Sequence, residues 1–221
     1  MVNMGKWRIG TSNKGRNLVT YLYPHSIISE QFRTIRTNIQ FINREKKHMV
    51  LLITSPDRYE GKTTMIGNIA VSIANQKEKV LLIDANLRNP ALHQMFMSAQ
   101  EPGLTDVLKG DAIQEEVIVS TQIPGLKLLP SGKIPSNPSE LLGSDVMKNL
   151  IAKVSPLYDV ILIDSPCLLD VTDTKVLANV SDGVILVVKQ GQTKAEHVYN
   201  AKKTLQYAKS NIIGTILNGS H

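Results

Sequence analysis

The sequence predicts an α/β fold with a doubly wound, mostly parallel central sheet flanked by helices. Three observations carry this. Short aliphatic and β-branched runs recur along the chain, most of them are apolar at every position, and helical periodicity fills the intervals between them. Strands covered on both faces read as continuous apolar runs, whereas strands with one wet face alternate. Repeated strand–helix–strand units lay successive strands parallel in one sheet.

The elements follow in chain order. Residues 1–25 carry Lys6, Arg8, Lys14 and Arg16 and no acidic residue, and read as a flexible basic segment. Such a segment either lies against an anionic surface or is simply solvated. Residues 26–221 read as a single domain. Its first helix, 27–42 (IISEQFRTIRTNIQFI), repeats Ile28, Phe32, Ile35, Ile39 and Ile42 as one apolar seam, with Glu30, Arg33 and Arg36 on another face. Predicted strands are Met49–Thr54, Val80–Asp84, Leu126–Leu129, Val160–Asp164, Val184–Lys189 and Ile212–Leu217. Helices are expected around 63–77, 139–154, 173–180 and 194–209, and the Pro-rich stretch 129–138 (LPSGKIPSNP) reads as a long surface loop.

Composition narrows the functional classes. The chain has 221 residues, 42% hydrophobic and 20% charged, which excludes wholesale disorder and fibrous repeats. The single cysteine, Cys167, excludes an intramolecular disulfide framework and suits a reducing compartment. Runs such as Val80–Ile83 fall far short of the ~20 apolar residues a membrane-spanning helix needs. No signal-peptide core opens the sequence. A cytoplasmic protein is therefore expected.

The chemistry concentrates where strand meets helix. After the strand at 49–54 comes Ser55-Pro-Asp-Arg-Tyr-Glu-Gly-Lys-Thr-Thr64 and then a helical pattern. Gly61, Lys62 and Thr63 match the end of the phosphate-binding loop G-x-x-x-x-G-K-[ST], with Pro56 at the outer glycine position. Loop and helix N–H groups bind phosphate there, glycine permits positive φ, the lysine reaches the β- and γ-phosphates, and the hydroxyl ligates Mg²⁺. Candidate nucleotide-binding residues are Asp57, Arg58, Tyr59, Glu60, Gly61, Lys62, Thr63 and Thr64. Asp84 and Asp164 each end an apolar strand. In open α/β sheets ligands sit beyond the carboxyl ends of the strands, so the pair is placed to hold Mg²⁺ directly or through water. Each aspartate alone reads equally well as a turn cap; the two together, behind a phosphate loop, favour the metal.

These residues resemble the catalytic domain of bacterial tyrosine kinases of the type that regulates capsule or exopolysaccharide synthesis, in the Gram-positive arrangement where the kinase and its membrane modulator are separate chains. The resemblance runs from about Ser29 to Asn218. It rests on SEQFRTIRTN, EGKTT, LLIDANLRNP, LPSGKIPSNPSELL and DVILIDSP together. It implies a P-loop NTPase fold, ATP or ADP with Mg²⁺ as cofactors, and transfer of the γ-phosphate to tyrosine. Lys62, Asp84, Arg88 and Asp164 would be catalytic, with Thr63, Asp84, Asn86 and Asp164 around the metal. The E-x-x-R-x-x-R motif, here Glu30, Arg33 and Arg36, would join subunits into a homo-oligomer, expected to be an octameric ring. Implied partners are the cytoplasmic C-terminal segment of a membrane adaptor, which recruits the kinase to the inner face of the membrane, and tyrosine-containing protein substrates. No nucleic acid is expected.

Four departures from the family's pattern matter. Asn86 stands at a second strand-end aspartate, removing a negative charge near the metal. Asp57-Arg58-Tyr59 replace residues rich in Gly and Pro; Arg58 either contacts phosphate or compensates for the lost glycines, and Tyr59 reads as an exposed loop tyrosine or a modification site. The family's C-terminal tyrosine cluster has no counterpart after Tyr207, whether by nature or by truncation, and Gly219-Ser-His221 is compatible with a remnant of cloning; Tyr21 and Tyr23 remain as candidate acceptors. Cys167 replaces a second proline and reads as a packed thiol. Two other readings follow: an ATP-binding pseudokinase, favoured by Asn86, and a partitioning- or division-type ATPase. The latter family's early loop lysine falls at Asp57, of opposite charge.

Overall fold

The computed structural model describes residues 18–42 and 47–219. The basic residues Lys6, Arg8, Lys14 and Arg16, and Ser220 and His221 at the other end, lie outside the described residues.

Seven strands form one sheet in the order β3-β4-β2-β5-β1-β6-β7. They are β1 (Met49–Thr54), β2 (Val80–Asp84), β3 (Val119–Ser120), β4 (Leu126–Leu129), β5 (Val160–Asp164), β6 (Gly183–Lys189) and β7 (Ile212–Asn218). All neighbours run parallel except the short edge strand β3, which is antiparallel to β4. The doubly wound parallel sheet expected from the continuous apolar runs is therefore present. β1, β2 and β5 are buried at every position.

Successive residues of a strand point to opposite faces, and the sheet builds two cores in this way. Leu52, Leu81, Ile83, Ile161 and Ile163 face one; Leu51, Ile53, Leu82, Val160 and Leu162 face the other. The second core is closed by α2 (Ile27–Ile42) through Phe32 and Ile39, and by α3 (Lys62–Ala74) through Ile66, Ile69 and Ile73. The first is closed by α8 (Asp145–Val154) and α10 (Ala195–Tyr207), with α5 (Leu104–Lys109) and α9 (Asp173–Ala178) beside them.

Several expectations need correction. A short helix α1 (Val19–Leu22) packs on the domain: Leu18 joins the core, and Thr20 donates both its N–H and its hydroxyl to Asn68 Oδ1 at 2.9 Å. Described residues ahead of the expected boundary at 26 thus already pack on the domain. The predicted seam of α2 is buried only in its middle; Ile28 and Ile42 are half-exposed because α3 covers the central turns alone. The helix expected over 139–154 is two helices, α7 (Pro138–Leu142) and α8. Gly143 ends the first, and Ser144 caps the second by accepting from Met147 N–H. The stretch 129–138 is not a surface loop throughout. Pro130, Ser131 and Gly132 are buried, and their carbonyls at 130 and 131 accept from Leu104 and Thr105 N–H at 2.8 and 2.9 Å. The remaining short helices, α4 (Leu92–Met95) and α6 (Gln114–Val117), span too few residues to show a period.

Candidate active site

The sheet register brings the site together. β2 and β5 are adjacent, and Asp84 pairs with Asp164 at their carboxyl ends. β1 lies on the other side of β5 and delivers the loop 55–61 to the same edge. Both aspartates are fully buried. Asp84 Oδ2 accepts from Ala91 and Leu92 N–H at 2.9 Å each, which fixes its carboxylate at the head of α4. Its capping role and a place at the site thus coincide. Asp164 Oδ2 accepts the Thr63 hydroxyl at 2.8 Å.

Gly61 makes the turn into α3 with φ 84°. A Cβ there would come within 2.5 Å of Asn218 Nδ2, which donates to Glu60 C=O at 2.9 Å. Glycine is therefore favoured by the left-handed backbone, and a side chain there would also have to displace the Asn218 amide. Lys62, Thr63 and Thr64 form the first turn of α3, where free N–H groups and the helix dipole favour an anion. Above them lies an open cleft of about 590 Å³. Arg58, Tyr59, Gly61, Lys62, Thr63 and Thr64 line one side, and Asn86, Arg88, Asn89, Pro166, Cys167 and Asp170 the other.

Of the predicted loop residues, Asp57 and Glu60 turn away. Glu60 is 1% exposed; its carboxylate accepts from Asp57 N–H at 3.1 Å and from the Thr193 hydroxyl. Asp57 Oδ2 lies 2.6 Å from His197 Nδ1. These two carboxylates anchor the loop to Thr193 before α10 and to His197 in its first turn, and a carboxylate in the phosphate cleft would repel the ligand. Their side chains support the loop, which leaves phosphate contact at these two positions to the backbone.

Arg58 reaches across the cleft, Nε to Asp170 Oδ2 at 2.5 Å, and this hydrogen bond holds the Asp170 carboxyl below the usual carboxylate range. Cys167 is buried, as a packed thiol should be; burial pushes its thiol up, with the neighbouring Asp170 acting in the same direction. Arg88, half-exposed, makes a bidentate pair with the fully buried Asp173, Nε–Oδ2 2.9 Å and Nη2–Oδ1 3.0 Å. Ser139 also donates to Asp173 Oδ1. Burial alone would raise the Asp173 carboxyl; the Arg88 and Ser139 hydrogen bonds outweigh it and hold the carboxyl below its ordinary value.

Away from this edge, Glu30 and Arg33 pair with each other on the exposed face of α2, and Arg33 Nη2 also donates to Pro24 C=O at 2.6 Å. Arg36 is turned inward and donates to Ser72 C=O at 2.9 Å, capping the end of α3. The three residues of the motif thus do not share one environment. Asp170, Asp173, Ser139, Thr193, His197 and Asn218 escaped the sequence reading. Each acts through a tertiary contact 34 to 158 residues distant, and only Asp173, an acid in the first turn of a helix, left any local signal.

The donor set fits a magnesium nucleotide. Thr63, Asp84, Asn86 and Asp164 offer oxygen donors suited to a hard cation: Thr63 and Asn86 line the cleft, and Asp84 and Asp164 lie buried at the strand ends, the second bonded to Thr63. Among the described residues no cluster of three or more His, Cys, Asp or Glu is present. Asp84 and Asp164 would supply two carboxylates, and Mg²⁺ takes one or two before completing its shell with phosphate and water.

A family model described as an AAA domain matches residues 60–215. The chain is 42% identical over 208 residues to the tyrosine-protein kinase YwqD of Bacillus subtilis, covering 94% of this chain and 88% of that protein. Its fold is similar to the kinase domain of Escherichia coli tyrosine kinase ETK, with TM-score 0.89 and 32% identity over 97% of this chain and 84% of the other. A more distant likeness, TM-score 0.66 and 27% identity over 76% and 69%, links it to the septum site-determining protein MinD of Pyrococcus horikoshii, solved with Mg-ADP.

Proposed function

The chain belongs to the bacterial tyrosine-protein kinases, and from that premise we propose how its cleft transfers the γ-phosphoryl group of ATP to a tyrosine hydroxyl. The observation that carries the proposal is the convergence of three strand ends: the Gly61–Thr64 turn after β1, Asp84 on β2 and Asp164 on β5.

In this reading the N–H groups opening α3 and the Lys62 ammonium bind the β- and γ-phosphates. Thr63, Asp164, Asp84 and Asn86 would hold Mg²⁺, whose chemistry is to neutralise charge on the phosphate oxygens. Asp164, bonded to Thr63, orients the hydroxyl; Asp84, fixed by Ala91 and Leu92, is held at the end of β2 beside Asp164. A tyrosine hydroxyl has a pKa of about 10, so a carboxylate beside the attacking oxygen eases loss of its proton during in-line transfer. Arg88, steadied by Asp173, presents its exposed part to the incoming group. The carboxylates at adjacent strand ends, one bonded to Thr63, and the Mg-ADP bound by the related MinD support the cofactor assignment.

Regulation of capsule or exopolysaccharide synthesis, assembly into a ring and activation by a membrane adaptor belong to the same proposal. The exposed Glu30–Arg33 face of α2, bordered by exposed Ile27 and Ile28, supports the assembly. Among the described residues no helix is long and apolar enough to cross a membrane, which is compatible with recruitment by a partner. Calorimetric titration with Mg·ADP tests the binding step: saturable uptake by the native chain that Thr63→Ala weakens at least about tenfold supports the assignment, and equal uptake by both sinks it.

A further inference from the structure

All six tyrosines lie within the described residues, and they differ in what surrounds them. Tyr158 is in the core at 8% exposure. Tyr21, Tyr199 and Tyr207 sit on helices whose backbone is already hydrogen-bonded, and Tyr23 follows α1 directly. Tyr59 alone lines the cleft, on a loop, 81% exposed, with φ 62°. Arg58 precedes it, and Lys62 opens α3 three residues on; both cations line the same side of the cleft.

Resting on the kinase reading, we infer that Tyr59 is a self-limiting phosphorylation site whose acceptor tyrosine is presented to a second copy of this chain. The donor is ATP held by that copy. The Tyr59 Oη–phosphorus bond forms, the bond from the γ-phosphorus to the β–γ bridging oxygen breaks, ADP leaves with that electron pair, and the phenolic proton passes to base or solvent. The transfer runs between copies for a geometric reason. The loop 57–62 grips the phosphates, and in-line attack must come from the side of the γ-phosphorus opposite the leaving oxygen. A side chain rooted on the gripping loop, held by the Asp57–Glu60 and Asp57–His197 contacts, is on the wrong side of its own nucleotide. Its exposure leaves it open to another molecule.

The consequence follows from charge. Phosphotyrosine carries about −1.5 to −2 at neutral pH and three acceptor oxygens. Placed between Arg58 and Lys62, it competes with the nucleotide for the same cations, and it offers Arg58 a bidentate partner in place of Asp170. Each transfer onto Tyr59 thus closes one nucleotide site.

The test incubates the full chain with Mg·ATP, together with an isotopically heavy Lys62→Met chain as a catalytically dead acceptor and a tyrosine-containing peptide. A heavy Asp164→Asn chain serves as a second acceptor should the first fail to fold. Mass spectrometry then maps phosphate on Tyr59 of the heavy chain. Titration finds ADP affinity lowered about tenfold or more in the phosphorylated protein and restored by a tyrosine phosphatase. In parallel, peptide phosphorylation by the native chain declines from its own initial rate, and that by Tyr59→Phe does not. Phosphate on the peptide or on other tyrosines with Tyr59 unmodified overturns the inference and leaves the kinase reading standing. Phosphate on Tyr59 of the active chain alone, or unaltered ADP affinity once it is modified, overturns it equally. Absence of label on every tyrosine, peptide included, removes both the inference and the kinase reading.

Discussion

Asp84 and Asp164 are register partners on adjacent parallel strands, so their carboxylates leave the sheet side by side, and Thr63 is hydrogen-bonded to the second of them. In the proposed reading a cation joins these two buried acids, since two neighbouring like charges otherwise raise the energy of the fold. Replacing Asp164 by Asn should therefore reduce phosphotransfer by about a hundredfold or more, since the charge that would compensate the metal is lost while the amide oxygen can still accept the Thr63 hydroxyl. It should also leave the metal-free chain as stable or more stable. Initial rates and urea denaturation of the two proteins check the pair of outcomes; a slow variant that is also strongly destabilised contradicts this account of the acid pair.

Asn86 lines the cleft, 6% exposed, and in the proposed reading would offer the metal an oxygen without charge. Asn86→Asp should tighten Mg²⁺ binding and raise phosphotransfer about tenfold, while costing the metal-free protein about 1–3 kcal/mol through repulsion from Asp84. Metal titration of the rate reports the first, and melting with and without Mg²⁺ the second. A native rate that already equals the variant's argues against attenuation by Asn86 and against the pseudokinase reading.

Asp173 is fully buried, and its charge is met by half-exposed Arg88. Arg88→Ala leaves that carboxylate uncompensated and should cost about 2–4 kcal/mol, read by chemical denaturation. The pH dependence has a defined sign. The folded Asp173 carboxyl lies below its ordinary value of ~3.9, so its contribution is complete above that value and is lost as pH falls through the folded one. The stability difference between the native chain and Asp173→Asn should shrink on acidification from about pH 5 downward. A difference that grows with acid contradicts the assignment.

The α2 motif splits by environment. Arg36→Ala removes the cap on Ser72 C=O and should lower stability by about 1 kcal/mol in any oligomeric state. Glu30→Ala with Arg33→Ala should leave the melting of the single chain nearly unchanged, because exposed pairs contribute little, yet shift any ring toward monomers. Light scattering and melting curves measure the two effects separately. An unaltered oligomer in the double variant removes Glu30 and Arg33 from the assembly.

The sheet was legible because burial on both faces writes itself into the chain as uninterrupted runs; β1, β2, β4 and β5 have the predicted bounds. Gly61, Lys62, Thr63, Asp84 and Asp164 were legible because each ends a strand or starts a helix. The side-chain directions of Asp57 and Glu60 were not legible, because adjacency in a loop says nothing about which way each carboxylate turns; that is decided by Thr193 and His197, over 130 residues away. The break at Gly143 and Ser144 was hidden because both flanking segments keep an apolar helical period. Helices of four residues, such as α1 and α4, hold too little pattern to be read at all.

The most direct measurement is transfer of radiolabelled phosphate from γ-labelled ATP to a tyrosine peptide by the native chain and by Lys62→Met, with Mg²⁺ and then with chelator. The account predicts alkali-stable label on tyrosine that Lys62→Met and chelation each abolish. Label of equal intensity in the native and Lys62→Met reactions, or native protein that binds Mg·ATP yet transfers nothing to tyrosine, would contradict it.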